Sequence, residues 1–152
     1  MRIVLGSDFI GLELKLALAE LLASNPKATS VVDLGVLSPV DKTDYPDIAF
    51  AVAKHIAAGN ADRGLLVCGT GIGMAISANK VAGIRATTAH DPYSLERAIL
   101  SNNCQIICFG ARVVTFEVAK TLITPWLGYN FDANGPSAPK VDKINKFEQP
   151  GV

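Results

Sequence analysis

Short apolar runs and longer amphipathic segments alternate along the chain. Each of five apolar runs ends near a glycine or a small polar residue and is typical of a strand buried on both faces. The predicted strands are residues 2–6, 30–34, 63–68, 84–88 and 105–109. The segments between them have apolar residues at helical spacing and predict helices. Five of the predicted helices are residues 11–23, 46–58, 74–80, 114–127 and 140–147. A sixth is predicted to begin at residues 91–92.

Strands that alternate with helices through short connections predict a parallel sheet with right-handed crossovers. The predicted fold class is α/β, a three-layer α/β/α sandwich around a five-stranded parallel Rossmann-like sheet with an extra C-terminal helix. A chain of 152 residues is long enough for one domain and too short for two ordinary ones. We therefore expect a single domain over residues 1–148 and a short tail over residues 149–152.

Composition and charge exclude several classes of function. Fourteen basic and fourteen acidic side chains balance, so no global field favours nucleic acid as a partner. The apolar runs fall short of the ~20 residues that span a bilayer, so no membrane partner is expected. The chain starts directly with a strand, without the pattern of a signal peptide. Since the three cysteines are odd in number, a reduced, cytoplasmic protein is expected.

The carboxyl ends of the predicted strands carry polar side chains. In open parallel sheets, ligands bind beyond these ends. Ser7 and Asp8 follow the first strand, Cys68 ends the third, His90 follows the fourth and Arg112 follows the fifth. These positions define a candidate site before any family is considered.

A glycine-rich loop joins the third strand to the third helix. Gly69, Gly71 and Gly73 let successive backbone N–H groups converge at a helix N-terminus, which suits an anion or a developing oxyanion. The spacing differs from the dinucleotide-binding fingerprint, and the absence of a following Gly-Lys-Ser/Thr excludes a Walker loop. A tight turn that binds no ligand is the alternative.

The cysteines and histidines have structural and functional interpretations. Cys68 is either a small buried residue or a thiol whose thiolate form the helix N-terminus stabilises. Cys104 and Cys108 lie in apolar surroundings and are interpreted as packing residues. His55 falls within a helix, where a surface position is expected, and His90 lies at a strand end. Two histidines this far apart predict no metal site.

Several other polar residues are also open to two interpretations. Asp8 either caps the following helix or faces a substrate hydroxyl, and the two roles are compatible. Residues 43–46 are typical of a loop that closes over a ligand, although Asp44 also suits a helix cap. Arg112, Lys140 and Lys143 are candidate anion ligands or solvated charges.

Five linked motifs give the chain a resemblance to a known family. They are Gly6-Ser-Asp-x-x-Gly-x-x-Leu-Lys15, Asp44-Tyr-Pro46, Cys68-Gly-Thr-Gly-Ile-Gly73, Ala78-Asn-Lys80 with Gly83-Ile-Arg85, and Phe109-Gly-x-Arg-Val113. In this order they resemble the type B ribose-5-phosphate isomerases, which are grouped with the galactose-6-phosphate isomerase subunits. The resemblance runs from residue 1 to about residue 148.

The resemblance implies an aldose–ketose isomerase that works through a cis-enediolate without a metal or an organic cofactor. It implies that Cys68 is the base that moves a proton between C1 and C2, and that Thr70 contacts the reacting oxygens. The backbone N–H groups of residues 71–75 would hold the enediolate oxygens. These residues are Gly71, Ile72, Gly73, Met74 and Ala75.

The resemblance also implies the remaining contacts and partners. Asp8 would bind sugar hydroxyls, and Arg112, Lys140 and Lys143 would bind phosphate. The other residues implied in substrate binding are Ser7, Phe9, Tyr45, Gly69 and Asn102. The implied partners are a phosphorylated monosaccharide and further copies of the chain, because family members are homodimers or dimers of dimers with active sites at the subunit interface.

Three features depart from the family's pattern. Phe9 stands where the ribose-specific members have a histidine. Ser101 stands where they have the histidine that opens the furanose ring, and serine is a poor acid near neutral pH. Of two phosphate-binding arginines, the second is replaced by Lys140 and the first falls near Gly135-Pro136. A bidentate fork is thereby replaced by a point charge.

Ser101 leaves two explanations open. Either another group opens the ring, with His90 as the nearest candidate, or the substrate has no ring to open. Both residues are therefore kept among the predicted catalytic residues. An aldotetrose phosphorylated on O4 has no free hydroxyl that could form a furanose.

The predicted activity is isomerisation of the ribose 5-phosphate/ribulose 5-phosphate type. An erythrose/erythrulose 4-phosphate pair or a hexose 6-phosphate is the alternative substrate within the same class. From other classes, a non-catalytic sugar-phosphate-binding subunit and a mononucleotide-binding module are the alternatives. Retention of Cys68, Thr70 and the three loop glycines argues against a silent subunit.

Overall fold

The computed structural model describes residues 1–148, so the predicted tail over residues 149–152 lies outside the described residues. The strands are β1 (Arg2–Ser7), β2 (Ser30–Asp33), β3 (Arg63–Cys68), β4 (Ala86–Thr88) and β5 (Ile106–Gly110). They form one sheet in the order β2-β1-β3-β5-β4, in which all neighbouring strands are parallel. The predicted five-stranded parallel sheet is confirmed.

Six helices within residues 1–148 accompany the sheet. They are α1 (Leu12–Ala23), α2 (Tyr45–Ala57), α3 (Ile72–Ala78), α4 (Pro92–Leu100), α5 (Phe116–Trp126) and α6 (Ala138–Phe147). Buried side chains of α1, α4 and α5 share one core cluster with one face of the sheet, and those of α2 and α3 share a second cluster with the other face. The predicted three-layer sandwich with an extra C-terminal helix is confirmed.

The start of α3 differs from the prediction. The helix begins at Ile72, two residues before the predicted start at Met74. Gly71 adopts the left-handed conformation at φ +79°, and its carbonyl accepts the first helical bond from the Ala75 N–H at 3.1 Å. A glycine adopts this backbone conformation without the strain that a Cβ would add. Two of the three glycine-loop positions expected before the helix therefore belong to its cap and first turn.

The edge strand β4 is shorter than predicted. It begins at Ala86, because Ile84 belongs to a preceding turn in which its N–H bonds the Val81 carbonyl at 3.1 Å. The side-chain amide of Asn79 donates to the Ala86 carbonyl at 2.7 Å and accepts from the Ala86 N–H at 2.8 Å. Asn79 thus takes the hydrogen-bonding positions that a further strand would occupy.

The predicted start of one helix is confirmed in detail, and a second helix is shorter than predicted at both ends. Asp91 caps α4 by accepting a hydrogen bond from the Ser94 N–H at 2.8 Å, and Pro92 occupies the first turn. α5 ends at Trp126, one residue after Pro125. Proline lacks an N–H donor and its ring crowds the turn that precedes it, which is unfavourable for the helix and agrees with its end one residue later.

The strand order places the candidate site. The chain leaves β1 towards β2 and leaves β3 towards the opposite side, so the crevice between β1 and β3 is the topological switch point of the sheet. Ser7 pairs in register with Val67, which brings Asp8 next to Cys68 at the carboxyl ends of the strands. A Cβ on Gly11 would lie 2.5 Å from the Val67 carbonyl oxygen. The turn after β1 can therefore lie against β3 only because residue 11 is glycine.

A buried lysine connects α1 to the segment that follows β2. Lys15 is fully buried, and its Nζ lies 2.6 Å from Asp33 Oδ2 and donates to the Val36 carbonyl at 2.6 Å. The other carboxylate oxygen of Asp33 accepts the Gly35 N–H at 2.9 Å. A buried ammonium group needs partners of this kind because it has lost its hydration. The contacts fix the start of the loop that leads to α2.

No helix of residues 1–148 combines the length and the apolar character needed to cross a membrane.

We expect Lys15→Met to destabilise the fold, because the substitution leaves the Asp33 carboxylate without its cation. The loss is about 3 kcal/mol, the lower part of the range for broken buried ion pairs, since the Asp33 side chain keeps partial contact with solvent. Urea unfolding of the two proteins measures it. The exposed pair formed by Arg2 and Asp62 provides the control, because Arg2→Met is expected to cost less. Equal losses for the two substitutions would contradict a structural role of Lys15.

Candidate active site

Cys68 ends β3 at the carboxyl edge of the sheet, beside the N-terminus of α3. Its Sγ accepts a hydrogen bond from the Gly71 N–H at 3.1 Å, and the residue is 6% exposed. The partial positive charge of a helix N-terminus favours an anion at this position. Burial raises the pKa of Cys104 to about 11 and that of Cys108 well above its ordinary value. These two enclosed thiols are consistent with the interpretation of Cys104 and Cys108 as packing residues.

The loop amides have different partners. The Gly71 N–H is used by Cys68, and the Ala75 N–H is used by the Gly71 carbonyl. The Ile72 N–H makes only a long contact of 3.4 Å with Thr70 Oγ1. Within residues 1–148, the N–H groups of Gly73 and Met74 donate no hydrogen bond. Of the five amides implied by the resemblance, these two are therefore the most available to a substrate oxygen.

The loop rests on the end of β5. The Ala111 N–H donates to the Cys68 carbonyl at 2.8 Å, and the Arg112 N–H donates to the Gly69 carbonyl at 3.0 Å. A Cβ on Gly110 would lie 2.8 Å from Thr70 Cα, so only glycine permits this approach. The same arrangement places Arg112, a predicted phosphate ligand, beside the loop of its own subunit. The backbone therefore fixes the thiol and the two available amides.

His90 lies behind the loop rather than free in the cleft. Its Nε2 accepts a hydrogen bond from the Gly110 N–H at 3.1 Å. An imidazole that accepts at Nε2 carries its proton on Nδ1. Burial lowers the pKa of His90, and the neighbouring Asp91 carboxylate opposes this shift. The contact positions the end of β5. The role of His90 in ring opening remains a prediction, and the proton would have to be transferred through Nδ1, because Nε2 is occupied.

Asp8 shapes the turn after β1. Its Oδ1 accepts the N–H groups of Ile10 and Gly11, each at 3.0 Å, while no partner of Oδ2 is found within residues 1–148. The N-cap position of α1 belongs to Gly11, so Asp8 stabilises the preceding turn instead of capping the helix itself. Ser7, also a predicted substrate contact, is fully buried, and its hydroxyl has no hydrogen-bond partner in the described chain.

Aromatic side chains line the rim of the site. A Cβ on Gly73 would lie 2.5 Å from the Tyr45 ring, so the ring packs directly on the loop. Asp44 occupies the N-cap position of α2 without a side-chain cap bond. Lys42 Nζ lies 3.8 Å from the centroid of the Phe9 ring, a cation–π contact. Lys42 was not predicted from the sequence, although it lies just before the 43–46 loop, which was expected to close over a ligand.

Ser101 and Asn102 lie at the opposite, amino edge of the sheet. They follow the last residue of α4, and the Asn102 carbonyl accepts from Arg85 Nε at 3.1 Å. Arg85 immediately precedes β4 and also bonds Asn145 of α6 at 2.8 Å. The predicted phosphate ligands Lys140 and Lys143 are exposed on the same α6. Within one subunit, these four predicted residues are thus separated from Cys68 by the length of the strands.

A cavity of about 290 Å³ lies at the amino edge. Ser101 lines it together with Arg97 of α4 and with the loop that precedes α6. The loop residues that line it include Asp132, Gly135, Pro136 and Ser137. Sequence analysis did not identify Arg97, because a charged residue within an amphipathic helix resembles an ordinary solvated side chain. Residues 1–148 contain no group of three or more acidic, cysteine or histidine side chains placed to hold a metal ion.

Comparison with known proteins identifies the family. The family model described as Ribose/Galactose Isomerase matches residues 3–144. A D-erythrulose-4-phosphate isomerase 2 of Mycolicibacterium smegmatis is 50% identical over 148 residues, 97% of each chain. Ribose-5-phosphate isomerase B of Escherichia coli is 38% identical over 148 residues, again 97% of this chain and 97% of the relative. The chain belongs to the ribose/galactose isomerase family, as its motifs predicted.

The fold agrees with a solved structure of the same family. Type B ribose 5-phosphate isomerase of Leishmania infantum superposes with a TM-score of 0.92 at 36% identity, over 99% of this chain and 98% of that one. The predictions of the family, of the fold and of a sugar-phosphate isomerase are confirmed.

We expect His90→Gln to reduce the loss of stability in mild acid. Because the pKa of His90 lies below its ordinary value of 6.5, the unfolded chain takes up the proton first as pH falls. The stability that His90 contributes is therefore present above pH 6.5 and lost as pH falls through the lowered pKa. A glutamine oxygen can accept the Gly110 N–H without titrating.

The measurement is urea unfolding at about pH 7.5 and about pH 5 for both proteins. The wild-type chain is expected to lose more stability between these values than His90→Gln does. His55→Gln, which removes the imidazole on α2, is the matched control. An identical loss in wild type and His90→Gln would show that the Gly110 contact does not depend on the neutral imidazole.

Proposed function

We propose that the chain interconverts a phosphorylated aldose and ketose through a cis-enediolate, with Cys68 as the base. The observation that carries the proposal is the thiol held at the loop beside the available N–H groups of Gly73 and Met74. A Cys68 thiolate would remove the proton from C2 of the aldose, and the two amides would stabilise the negative oxygen that develops. Return of the proton to C1 yields the ketose, while Thr70 relays the hydroxyl proton between O1 and O2.

The site is proposed to be completed by a second copy of the chain, in a homodimer or a dimer of dimers. The separation of Cys68 from Ser101 by the length of the strands supports this, since one subunit cannot bring both to one substrate. α3 also exposes Ile72 and Ile76, one helical turn apart and 55% and 58% exposed, next to the loop. Adjacent exposed apolar residues of this kind suit a protein interface. Residues 1–148 would act as one catalytic domain in each subunit, and a cytoplasmic location remains a prediction.

Two substrate pairs are proposed. The ribose 5-phosphate type is supported by the family's ribose isomerases, including the Escherichia coli and Leishmania proteins. The erythrose/erythrulose 4-phosphate pair is supported by the Mycolicibacterium relative and by one specific observation, Ser101 in place of a ring-opening histidine. Because a tetrose 4-phosphate cannot close to a furanose, it makes no demand on a ring-opening acid. Hexose 6-phosphates remain a further alternative within the class.

We expect Cys68→Ala to lower kcat by about 10²- to 10⁴-fold, the range typical of a lost general base. Isomerisation of ribose 5-phosphate, erythrose 4-phosphate and galactose 6-phosphate is measured side by side, and the ratio of kcat/KM values ranks the substrates. Cys104→Ala is the matched control, because it removes a buried thiol far from the loop amides and is expected to keep the activity. Undiminished turnover by Cys68→Ala would exclude the thiol as the base.

We also expect two inactive variants to restore activity when they are mixed. Cys68→Ala lacks the base. In Ser101→Glu, a negative charge blocks the part of the site that this subunit contributes to the Cys68 loop of its partner. If each site uses both subunits, random exchange in an equal mixture regenerates about a quarter of the wild-type activity, because half of the dimers contain one intact site. The rate is measured before and after subunit exchange. Failure to recover any activity, with exchange verified by mass spectrometry of differently labelled subunits, would place the whole site within one subunit.

A further inference from the structure

The cavity at the amino edge has one basic residue, Arg97. Its other lining side chains are neutral apart from Asp132, whose Oδ1 accepts the Asn134 N–H at 2.9 Å. The resemblance places an arginine near Gly135-Pro136, which also line this cavity and carry no charge. The loop before α6 therefore contributes no cation to the cavity, while α4 contributes the guanidinium of Arg97. The position of the positive charge differs from that in the family's pattern, but the cavity retains one.

The guanidinium of Arg97 has unused donors. Its Nη2 bonds Glu96 Oε1 at 2.7 Å, and its Nη1 lies 3.4 Å from Ser101 Oγ. Nε is buried and has no hydrogen-bond partner among residues 1–148. A guanidinium has five N–H donors, so donors on the terminal nitrogens remain available. Nε itself is enclosed, whereas the side chain as a whole is 38% exposed, so Nη1 and Nη2 are the groups that a ligand in the cavity can reach.

Arg97 and Ser101 are one helical turn apart and present their polar groups together. Residues four apart lie on the same side of a helix, which explains their contact. The serine hydroxyl is much smaller than an imidazole, so Ser101 leaves room beside the guanidinium. A planar guanidinium and a hydroxyl together form a phosphate-binding pair, because both donate to phosphate oxygens.

We propose that Arg97, together with Ser101, binds the substrate phosphate and selects a short, open-chain sugar. This assignment rests on the proposed isomerase function, with the cavity of one subunit facing the Cys68 loop of its neighbour. In a tetrose 4-phosphate the phosphorus lies one carbon closer to the reacting C1 and C2 than in a pentose 5-phosphate. The phosphate of the shorter substrate then reaches Arg97 and Ser101, the groups that occupy the space of the missing imidazole.

Two carboxylates oppose this role, that of Asp132 in the cavity lining and that of Glu96 on the guanidinium itself. The Glu96 carboxylate pairs with the Arg97 guanidinium, and both side chains of the pair are more than a third exposed. An exposed ion pair contributes little and is easily rearranged. We expect a bound phosphate to compete successfully with Glu96, since a dianion interacts more strongly with the guanidinium than a single carboxylate does.

The test measures binding in a background that cannot turn over. In full-length Cys68→Ser, titration calorimetry gives the Kd of 4-phospho-D-erythronate, of the matching five-carbon 5-phosphoaldonate, and of D-erythronate without phosphate. We expect Arg97→Met to weaken 4-phospho-D-erythronate by about 10- to 100-fold, the range for a lost hydrogen bond to a charged group. The loss for the five-carbon probe is expected to be smaller, and binding of the phosphate-free acid is expected to be unchanged.

Two further variants make the result specific. Arg97→Lys keeps the charge and the long stem but loses the planar fork, and we expect it to recover part of the affinity. Arg2→Met is the matched control, because it also removes an exposed arginine that is paired with a carboxylate. In the active protein, Arg97→Met is expected to raise KM for erythrose 4-phosphate more than it lowers kcat.

Several results would overturn the assignment. Unchanged binding of 4-phospho-D-erythronate by Arg97→Met would exclude the phosphate contact. Equal losses for the two chain lengths would exclude the role in specificity, and an equal loss for the phosphate-free acid would indicate a general disturbance of the site. Binding that depends on Arg97 in a protein without isomerase activity would refute the proposed function and leave the anion site intact.

Discussion

The candidate active site depends on one close backbone approach, in which the loop after β3 lies directly on the end of β5. Gly71 supplies the left-handed turn, and Gly110 leaves space for Thr70. The carbonyls of Cys68 and Gly69 are then bonded by the amides that follow β5. Because backbone groups make these contacts, the thiol and the loop amides hold their geometry before any substrate arrives. Such preorganisation is what an enediolate site needs, since its stabilising dipoles do not have to reorient during the reaction.

The topology also separates the thiol from the end of α4. A helix that follows a strand at the carboxyl edge must return its last residues to the amino edge, so Arg97 and Ser101 lie far from Cys68 of the same subunit. Changes at the end of α4 therefore leave Cys68 and its amides undisturbed. Under the proposed function, this arrangement would let one loop act on sugars of different length while recognition changes at the other end of the molecule.

Much of the fold could be predicted because its signals are local. Apolar runs gave the strands, and the Asp91-Pro92 pair gave the start of α4 from its capping chemistry alone. The position of Cys68 at a strand end, before a glycine loop, followed in the same way. The contacts of His90 and Arg97 could not be predicted, because each depends on a partner far away in sequence or on the shape of a cavity. The extent of β4 was also missed, since Asn79 and a turn, rather than apolar pattern, decide where pairing starts.

Asn79 has a consequence for the behaviour of the protein at high concentration. An outer strand with unpaired N–H and C=O groups is a template on which another chain can add its own strand. Asn79 forms hydrogen bonds with both the N–H and the C=O of Ala86. The hydroxyl of Thr87 donates to the next outward carbonyl, that of Thr88, at 3.1 Å. This edge of the sheet therefore has few unpaired backbone groups to which a misfolded neighbour or a growing fibril could add a strand. Association is directed to the helical surfaces, where side-chain shape discriminates between a correct partner and a wrong one.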